Sequence, residues 1–296
     1  MFITTPSSLF CKPADATIRP CSLPPVRACL FDMDGLLLDT EDIANKVNNT
    51  LLAEYNRPPL PWSLKAQYQG RPSREAMDIF HAWARLPISR QVFEQKQRHL
   101  QNQLFPTAKP LPGVPMLLKT LKNSKVQIAL ATSSQSRTFR LKTIKHEHLF
   151  KAFEPHKRVL GDDERIPRGR GKPCPDIYLL ALETINAELR AKGEREIRPS
   201  ECLVFEDSVP GVEAGRRAGM RVIWCPHEML LQEYEGREEE VLAGIAGARD
   251  EERMRPGTAR ERLLDPPGTL GDGYAEYYSS LADFDPERYG IRRKSF

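Results

Sequence analysis

A run of apolar residues that ends in two carboxylates limits what this chain can fold into. Residues 26–31 are mostly apolar, and Asp32 and Asp34 follow directly, before a glycine. Such a run predicts a strand that is buried on both faces of a parallel sheet. In open α/β folds the ligand binds outside the carboxyl ends of the strands, so both acids are expected at a binding edge. Asp39 and Thr40, slightly downstream, are explained well enough as caps of the next helix.

Three further sites along the chain carry residues that suit phosphate chemistry. Thr132 follows the second predicted strand, Glu206 and Asp207 follow a later one, and Lys172 lies in a proline-bracketed loop between them. Each has a plain structural interpretation when taken alone: Thr132 or the next two serines could cap a helix, and a Lys-Pro pair is common in loops. A phosphoryl-transfer site needs an aspartate, a threonine, a lysine and a second aspartate, and this chain has them in that order. Their combination favours a functional interpretation over the structural ones.

The chemistry of phosphate monoesters suggests a role for each of these residues. Their uncatalysed hydrolysis is among the slowest reactions known. Asp32 is the predicted nucleophile, which would divide the displacement into two easier steps through an aspartyl phosphate. Asp34 is the predicted acid and later base, a role that contributes roughly 10²–10⁴-fold. Thr132 is expected to donate its hydroxyl and its backbone N–H to the phosphoryl oxygens, and Lys172 to balance the charge.

Two carboxylates facing a phosphate dianion require a cation. Mg²⁺ suits this role because it binds one or two carboxylates while keeping phosphate oxygens and waters as further ligands. The expected ligands are the side chains of Asp32 and Asp207 and the backbone carbonyl of Asp34, with Glu206 as a partner behind them. Mg²⁺ is therefore the predicted cofactor.

Strand patterns that alternate with helix patterns predict an α/β fold with a doubly wound, Rossmann-like parallel sheet. Only helix patterns lie between the first two strands, which indicates an inserted all-helical cap domain. Val92 and Phe93 are expected to face its interior, and a strand over residues 221–225 to complete the sheet. The predicted divisions are a flexible N-terminal extension (1–25), the core (26–40 and 107–231), the cap (41–106), a charged and partly disordered insertion (232–273) and a C-terminal segment that docks on the core (274–296).

Composition and charge argue against several classes of function. The net charge of +4 arises from 44 lysines and arginines against 40 aspartates and glutamates, which gives no basis for nucleic-acid binding. No apolar run approaches the roughly 20 residues that span a bilayer. The six cysteines show no Cys-x-x-Cys pair or zinc-like spacing, which is typical of a reducing compartment. A cytoplasmic, monomeric protein without membrane or nucleic-acid partners is expected.

The order and spacing of these motifs resemble the haloacid dehalogenase-type phosphohydrolases, in the subfamily with a helical cap after the first motif. The resemblance rests on residues 31–41, 129–134, 203–207 and 211–214, and residues 280–290 are similar to the closing segment of the pseudouridine-5′-phosphatase-like group. It implies a phosphatase core whose cap selects the substrate. The N-terminal extension, the charged insertion and Cys174 depart from the family pattern without removing a catalytic group.

A loop in the predicted cap is the candidate for substrate selection. Gly70 would allow close approach, while Arg71 and Arg74 could meet substrate hydroxyls or a second phosphate. An exposed helix start capped by Ser73 explains the same loop equally well. Ser133, beside Thr132 in the core, is a further substrate-binding candidate.

The predicted function is a Mg²⁺-dependent phosphatase acting on a small phosphorylated metabolite: a sugar, polyol or nucleoside monophosphate such as pseudouridine 5′-phosphate. The main alternative is a phosphomutase of the β-phosphoglucomutase type, which would return the phosphoryl group to the substrate. A dehalogenase would not need the second aspartate or the acidic pair. A non-enzymatic module that binds a partner through the charged insertion is also an alternative, although the intact set of catalytic candidates argues against it.

Overall fold

A computed structural model of the chain describes residues 23–254 and 266–292. Its centre is a six-stranded parallel sheet in the order β3-β2-β1-β4-β5-β6. The strands are β1 Ala28–Phe31, β2 Gln127–Ala131, β3 Arg158–Val159, β4 Cys202–Glu206, β5 Arg221–Trp224 and β6 Ala275–Tyr277. The chain builds the sheet outward in both directions from β1, so the topological switch point lies between β1 and β4. The predicted fold class, a doubly wound parallel α/β sheet, is confirmed.

Helices cover both faces of the sheet. The core helices are α5 Val114–Lys122, α6 Ser136–Thr143, α7 Glu147–Phe150, α8 Asp176–Ala191 and α9 Val209–Arg217. Alternate residues of β1 enter two separate apolar clusters, Ala28 and Leu30 on one face and Cys29 and Phe31 on the other. Burial on both faces explains why the strand reads as a nearly continuous apolar run rather than as an alternating pattern.

Five helices lie between β1 and β2, and the four that precede α5 share an apolar cluster of their own. They are α1 Glu41–Glu54, α2 Trp62–Tyr68, α3 Ser73–Ala84 and α4 Arg90–Leu104. Phe80 of α3 and Phe93 of α4 are fully buried, and their ring centroids are 5.1 Å apart. Val92 is 39% exposed, so the expectation that it faces inward was wrong: only Phe93 turns toward α3. We call α1–α4 the cap; its predicted limits, residues 41–106, remain an interpretation.

The C-terminal part adds a strand that the sequence analysis did not predict. β6 pairs in parallel with β5, so the sheet is not completed at residues 221–225 as expected. Helices α10 Glu228–Glu233, α11 Glu238–Leu242 and α12 Ala246–Met254 follow β5, and α11 and α12 pack against α9. Much of the predicted charged insertion is therefore folded, with Val241 and Ala246 fully buried.

Some sequence predictions cannot be compared with the structure. The N-terminal extension falls almost entirely on residues 1–22, and part of the disorder expected within 232–273 falls on 255–265; both lie outside the described residues. Among the helices that are described, none combines the length and the apolar character needed to cross a membrane.

Candidate active site

The ends of β1 and β4 bring the first and last acidic motifs together. Phe31 and Phe205 are register partners in the two strands, and the Asp32 N–H donates to the Phe205 carbonyl at 3.0 Å. Asp32 continues β1 and Asp207 follows β4, so both carboxylates reach the same edge of the sheet. Their exposed fractions are only 4% and 2%. The switch point therefore holds two buried acids, where an open α/β sheet binds its ligand.

Lys172 lies against this pair and is completely buried. Its Nζ is 2.5 Å from Asp32 Oδ1 and 2.5 Å from Glu206 Oε1. Glu206 also accepts hydrogen bonds from the Tyr178 hydroxyl at 2.5 Å and from the Ser208 hydroxyl at 3.0 Å. Because these donors occupy its carboxylate, Glu206 is placed to hold Lys172 and the loop after β4.

At the switch point a single lysine, Lys172, balances the negative charge of the acids only in part. Burial raises the pKa of Asp32 to about 7, with Glu206 and Asp34 adding to the effect and Lys172 opposing it. Burial and the charges of Asp32 and Glu206 raise the pKa of Asp207 well above its usual range. Within the described residues, no lysine or arginine forms an ion pair with Asp207. Oxygen donors with unbalanced negative charge fit a hard divalent cation such as Mg²⁺.

Gly35 explains why a glycine follows the two aspartates. Its φ of +75° is a left-handed conformation that favours glycine, and a Cβ added there would lie 2.2 Å from Asp207 Oδ2. The same Cβ would lie 2.8 Å from the Cγ of Glu41, at the start of α1. The loop after β1 thus passes directly over Asp207, which a side chain at this position would obstruct.

The second aspartate of the motif is held by three donors. The Asp34 carboxylate accepts hydrogen bonds from Thr40 Oγ1 at 2.7 Å, Ser134 Oγ at 2.6 Å and Lys142 Nζ at 2.6 Å. Burial alone would raise the pKa of Asp34, but Lys142 and the two hydroxyl groups hold it below its usual range. Asp34 is therefore ionised in this arrangement.

Lys142 is a site residue that the sequence motifs did not predict. It is 8% exposed and lies on α6, one turn after the buried Phe139, so the helical periodicity of α6 is the signal that could have placed it inward. Its Nζ also lies 4.5 Å from the centre of the Phe105 ring. A buried lysine that contacts a catalytic candidate marks α6 as part of the site.

Thr132 is fully buried at the end of β2, but one of its predicted donors is already used. Its backbone N–H donates to the Val159 carbonyl of β3 at 3.0 Å, so the expectation that this N–H binds the phosphoryl group was wrong. The Thr132 hydroxyl accepts from the Ser134 N–H at 3.1 Å and keeps its own proton for another acceptor. The alternative that Thr132 caps α6 also fails, because Gln135 is the N-cap residue.

Thr40 occupies the N-cap position of α1, as expected, but its side chain makes no capping hydrogen bond. The hydroxyl donates instead to Asp34 and accepts from the Gly35 N–H at 3.2 Å. The interpretation of Thr40 as a simple helix cap was therefore incomplete, since its side chain serves the active site.

The predicted specificity loop contacts the core directly. The Gly70 carbonyl accepts a hydrogen bond from the Ser133 hydroxyl at 2.8 Å, which joins two of the predicted substrate-binding residues. Gln69, which the sequence analysis did not select, donates from Nε2 to Asp207 Oδ2 at 2.5 Å. A Cβ on Gly70, whose φ is +78°, would lie 2.1 Å from Ser208 Oγ. The cap is thus closed onto the edge of the sheet that carries the acids.

The two arginines of the loop lie differently. Arg71 donates from Nε to the Gln67 carbonyl at 2.8 Å, and its guanidinium is 3.7 Å from Glu75, so both contacts stay within the cap. Arg74 is exposed on α3, and in the described part of the chain it does not join the contacts between cap and core. The structure therefore brings Gly70 and Ser133 to the site, but not Arg74.

The sequence model of the haloacid dehalogenase-like hydrolases matches residues 26–219, a range that includes all of the acids and lysines described above. The chain belongs to this family. The predicted resemblance is confirmed.

Relatives of this hydrolase carry the names of phosphatases. A probable pseudouridine-5′-phosphatase of Saccharomyces cerevisiae is 45% identical over 202 residues, which cover 68% of this chain and 83% of the relative. The mitochondrial (DL)-glycerol-3-phosphatase 1 of Arabidopsis thaliana is 35% identical over 241 residues, which cover 81% and 77%. The predicted enzyme class, a phosphoric monoester hydrolase of the haloacid dehalogenase type, is confirmed.

A solved structure supports the fold of this hydrolase independently. The crystal structure of a HAD hydrolase of family IA, variant 3, from Entamoeba histolytica matches with a TM-score of 0.55 and 23% identity. The match covers 74% of this chain and 99% of that one. At this identity the likeness supports the fold alone.

The hydrolase has a second group of metal-ligand types, on its surface. Glu154, His156 and Glu188 place their ligand atoms within 4.8 Å of one another. However, the buried Lys157 forms ion pairs with Glu154 at 2.8 Å and with Glu188 at 2.6 Å, and Lys192 also bonds Glu188. Hydrogen bonds from the two lysines lower the pKa of Glu188 to about 2. Lysines already balance the negative charge of this surface group, so it is better described as an ion-pair network than as a metal site. The acids at the switch point are the better candidates for binding a divalent cation.

Proposed function

We propose that this hydrolase is a Mg²⁺-dependent phosphatase acting on a small phosphorylated metabolite: a sugar, polyol or nucleoside monophosphate such as pseudouridine 5′-phosphate. The reaction would proceed through an aspartyl phosphate on Asp32. The observation that carries this proposal is the buried contact of Lys172 with Asp32, beside the unbalanced charge of Asp207 at the switch point of the sheet.

The mechanism begins at Asp32. Its carboxylate attacks phosphorus while the bond to the leaving oxygen breaks, and Asp34 gives that oxygen a proton. Lys172 neutralises charge at Asp32, and the Thr132 hydroxyl donates to a phosphoryl oxygen. In the second step Asp34 takes a proton from water, whose oxygen attacks phosphorus and frees Asp32 with inorganic phosphate.

The described arrangement of Asp34 suits the second step. Three donors stabilise its ionised form, which can accept a proton from water. The first step needs a proton on Asp34, so we expect Asp34 to have fewer of these donors when the substrate is bound. The lowered pKa of Asp34 thus corresponds to the base and not to the acid.

The proposed magnesium ligands are the side chains of Asp32 and Asp207 and the backbone carbonyl of Asp34, with Glu206 behind them. When bound, the ion would offset the negative charge that the phosphoryl oxygens share with these carboxylates. The unpaired charge of Asp207 and the raised pKa values of Asp32 and Asp207 support this assignment.

The phosphomutase alternative would require cationic groups in the cap for a second phosphate. Arg71 contacts Gln67 and Glu75, and Arg74 is exposed, so neither arginine favours that reaction. The monomeric state, the cytoplasmic location and the absence of nucleic-acid partners stay predictions.

The test is phosphate release from a panel of sugar, polyol and nucleoside monophosphates, measured with Mg²⁺ and with EDTA. We expect turnover that needs Mg²⁺, a loss of at least 10³-fold in Asp32→Asn, and nearly normal turnover in the control Asp39→Asn from the same loop. Conversion between sugar-phosphate isomers without phosphate release would favour the mutase. No reaction with any ester would contradict the proposal and favour a binding module.

A further inference from the structure

One face of α1 carries a polar stripe that starts at the active site. Glu41, Asn45 and Asn48 follow one another at spacings of four and three residues, so they share a face of the helix. At the start of the stripe, the Cγ of Glu41 lies beside Gly35, which passes over Asp207. The stripe therefore leads from the edge of the sheet that carries the acids into the cap.

Helix α2 lies along the same stripe. Lys65 Nζ is 2.7 Å from the carboxylate of Glu41 and donates to its backbone carbonyl at 2.9 Å. One turn later, Tyr68 lies near Asn48, and Gln69 at the end of the helix reaches Asp207. The facing residues of α1 and α2 thus form one polar surface above the switch point.

Several polar atoms on this surface are buried without a hydrogen-bond partner among the described residues: Asn45 Oδ1, the Tyr68 hydroxyl and Gln69 Oε1. Tyr68 is only 9% exposed and Gln69 only 5%. In folded proteins nearly all buried polar atoms have a hydrogen-bond partner. A cluster of buried polar atoms without one, beside an active site, therefore indicates groups that bind a ligand. Burial and the charge of Glu41 raise the pKa of Tyr68, which keeps its phenol protonated.

The unpartnered groups are uncharged, whereas the cation among them is already paired. Lys65 is bound to Glu41, so its charge is balanced. Amide oxygens accept hydrogen bonds, and a phenol both donates and accepts. Hydroxyl groups and the N–H groups of a heterocycle match this set. A phosphate dianion does not match, because it offers only acceptors and would face the amide oxygens and Glu41.

The geometry of phosphoryl transfer directs the leaving group toward this surface. The attacking and leaving oxygens lie roughly in line with phosphorus, so the leaving alcohol lies opposite Asp32, away from the sheet and toward the cap. We infer that Asn45, Tyr68 and Gln69 bind the uncharged, hydrogen-bonding alcohol part of the substrate, and that this surface disfavours esters with a second phosphate. The inference rests on the proposed phosphatase function and assigns its specificity to these residues.

The test compares Tyr68→Phe, which removes only the hydroxyl, with the control Tyr55→Phe elsewhere in the cap. Activity is measured on the best hydroxylated monophosphate of the panel and on p-nitrophenyl phosphate, whose aryl group carries no hydroxyl besides the esterified oxygen. In Tyr68→Phe we expect kcat/KM for the hydroxylated ester to fall about 10-fold or more, with less than a 3-fold change for p-nitrophenyl phosphate. In Tyr55→Phe neither value should change by more than 2-fold.

Two further measurements keep the inference falsifiable. Asn45→Ala, on the other helix, should show the same selective loss, and ribose 1,5-bisphosphate should be a poorer substrate than ribose 5-phosphate by at least 10-fold. Equal losses on both esters, no loss on either, or a preference for the bisphosphate would overturn the inference while leaving the phosphatase intact. If the wild type hydrolyses neither p-nitrophenyl phosphate nor any ester of the panel, the proposed function itself fails.

Discussion

Lys142 controls the state of Asp34 from a helix that follows the next strand of the sheet. Its ammonium bonds both Asp34 and Ser134, at 2.6 and 2.8 Å, and is shielded from solvent. In Lys142→Met the apolar stem remains, but Asp34 loses its charged donor. We expect kcat to fall about 10- to 100-fold with a smaller change in KM, because the acid and base steps depend on the orientation of this carboxylate.

Steady-state kinetics on the best substrate of the panel checks this expectation. The control is Lys145→Met, which changes an exposed lysine just beyond the end of α6. The losses in Lys142→Met and Asp34→Asn should not add in the double variant, because both remove one function. Additive losses would show that Lys142 acts independently of Asp34.

Most of the site residues that the sequence predicted belong to motifs at strand ends, whereas Lys172 and the three candidates in the cap do not. Asp32, Thr132 and Asp207 follow apolar runs, and parallel topology brings the ends of such runs to one edge of the sheet. Lys142 lies on a helix and Gln69 directly follows one, and they reach their partners across 108 and 138 residues of sequence. No local sequence pattern indicates contacts between residues so far apart in the chain, so only the structure reveals these two contacts.

At the scale of elements, the cap depends on the packing of its own apolar cluster. Phe80 is fully buried between helices and contacts Phe93, whereas Val92 in the neighbouring helix is 39% exposed. We expect Phe80→Ala to lower the free energy of unfolding of the cap by about 3–5 kcal/mol. Val92→Ala, the control, should change it by less than about 0.5 kcal/mol.

Urea titration followed by tryptophan fluorescence measures this difference, because Trp62 and Trp83 lie in the cap. The two predicted effects differ by several kcal/mol, so equal effects of the two substitutions would contradict the packing described for α3 and α4.

Short elements of the fold account for two of the errors in the sequence-based predictions. β6 has only three residues, too few for a periodic pattern to emerge. The missed hydrogen bond from Thr132 to β3 is the direct cause of the wrong role for the Thr132 N–H. The first strand, by contrast, was predicted at residues 26–31 and lies at Ala28–Phe31, because burial on both faces makes its sequence almost continuously apolar.

At the scale of the whole molecule, the buried Asp207 carboxyl opposes folding near neutral pH unless a cation balances it: burial raises its pKa, so without the cation folding must bury its charge or bind a proton. The isosteric asparagine has no charge to bury or neutralise, and its amide oxygen can still accept from Gln69. In EDTA we therefore expect Asp207→Asn to melt at the same temperature as the wild type or a few degrees higher. Most substitutions of a buried residue instead lower the melting temperature.

Mg²⁺ should reverse this order of melting temperatures, so that the wild type melts above Asp207→Asn. An ion that binds only the folded protein at about 100 times its Kd adds roughly 2.7 kcal/mol, so the Tm of the wild type should rise by several degrees. Asp207→Asn should show little or no rise, and thermal unfolding at matched ionic strength in EDTA and in Mg²⁺ measures both. A rise that persists in Asp207→Asn but disappears in Glu188→Gln would instead locate the ion at the surface group of Glu154, His156 and Glu188. The unbalanced charge at the switch point would then require another explanation.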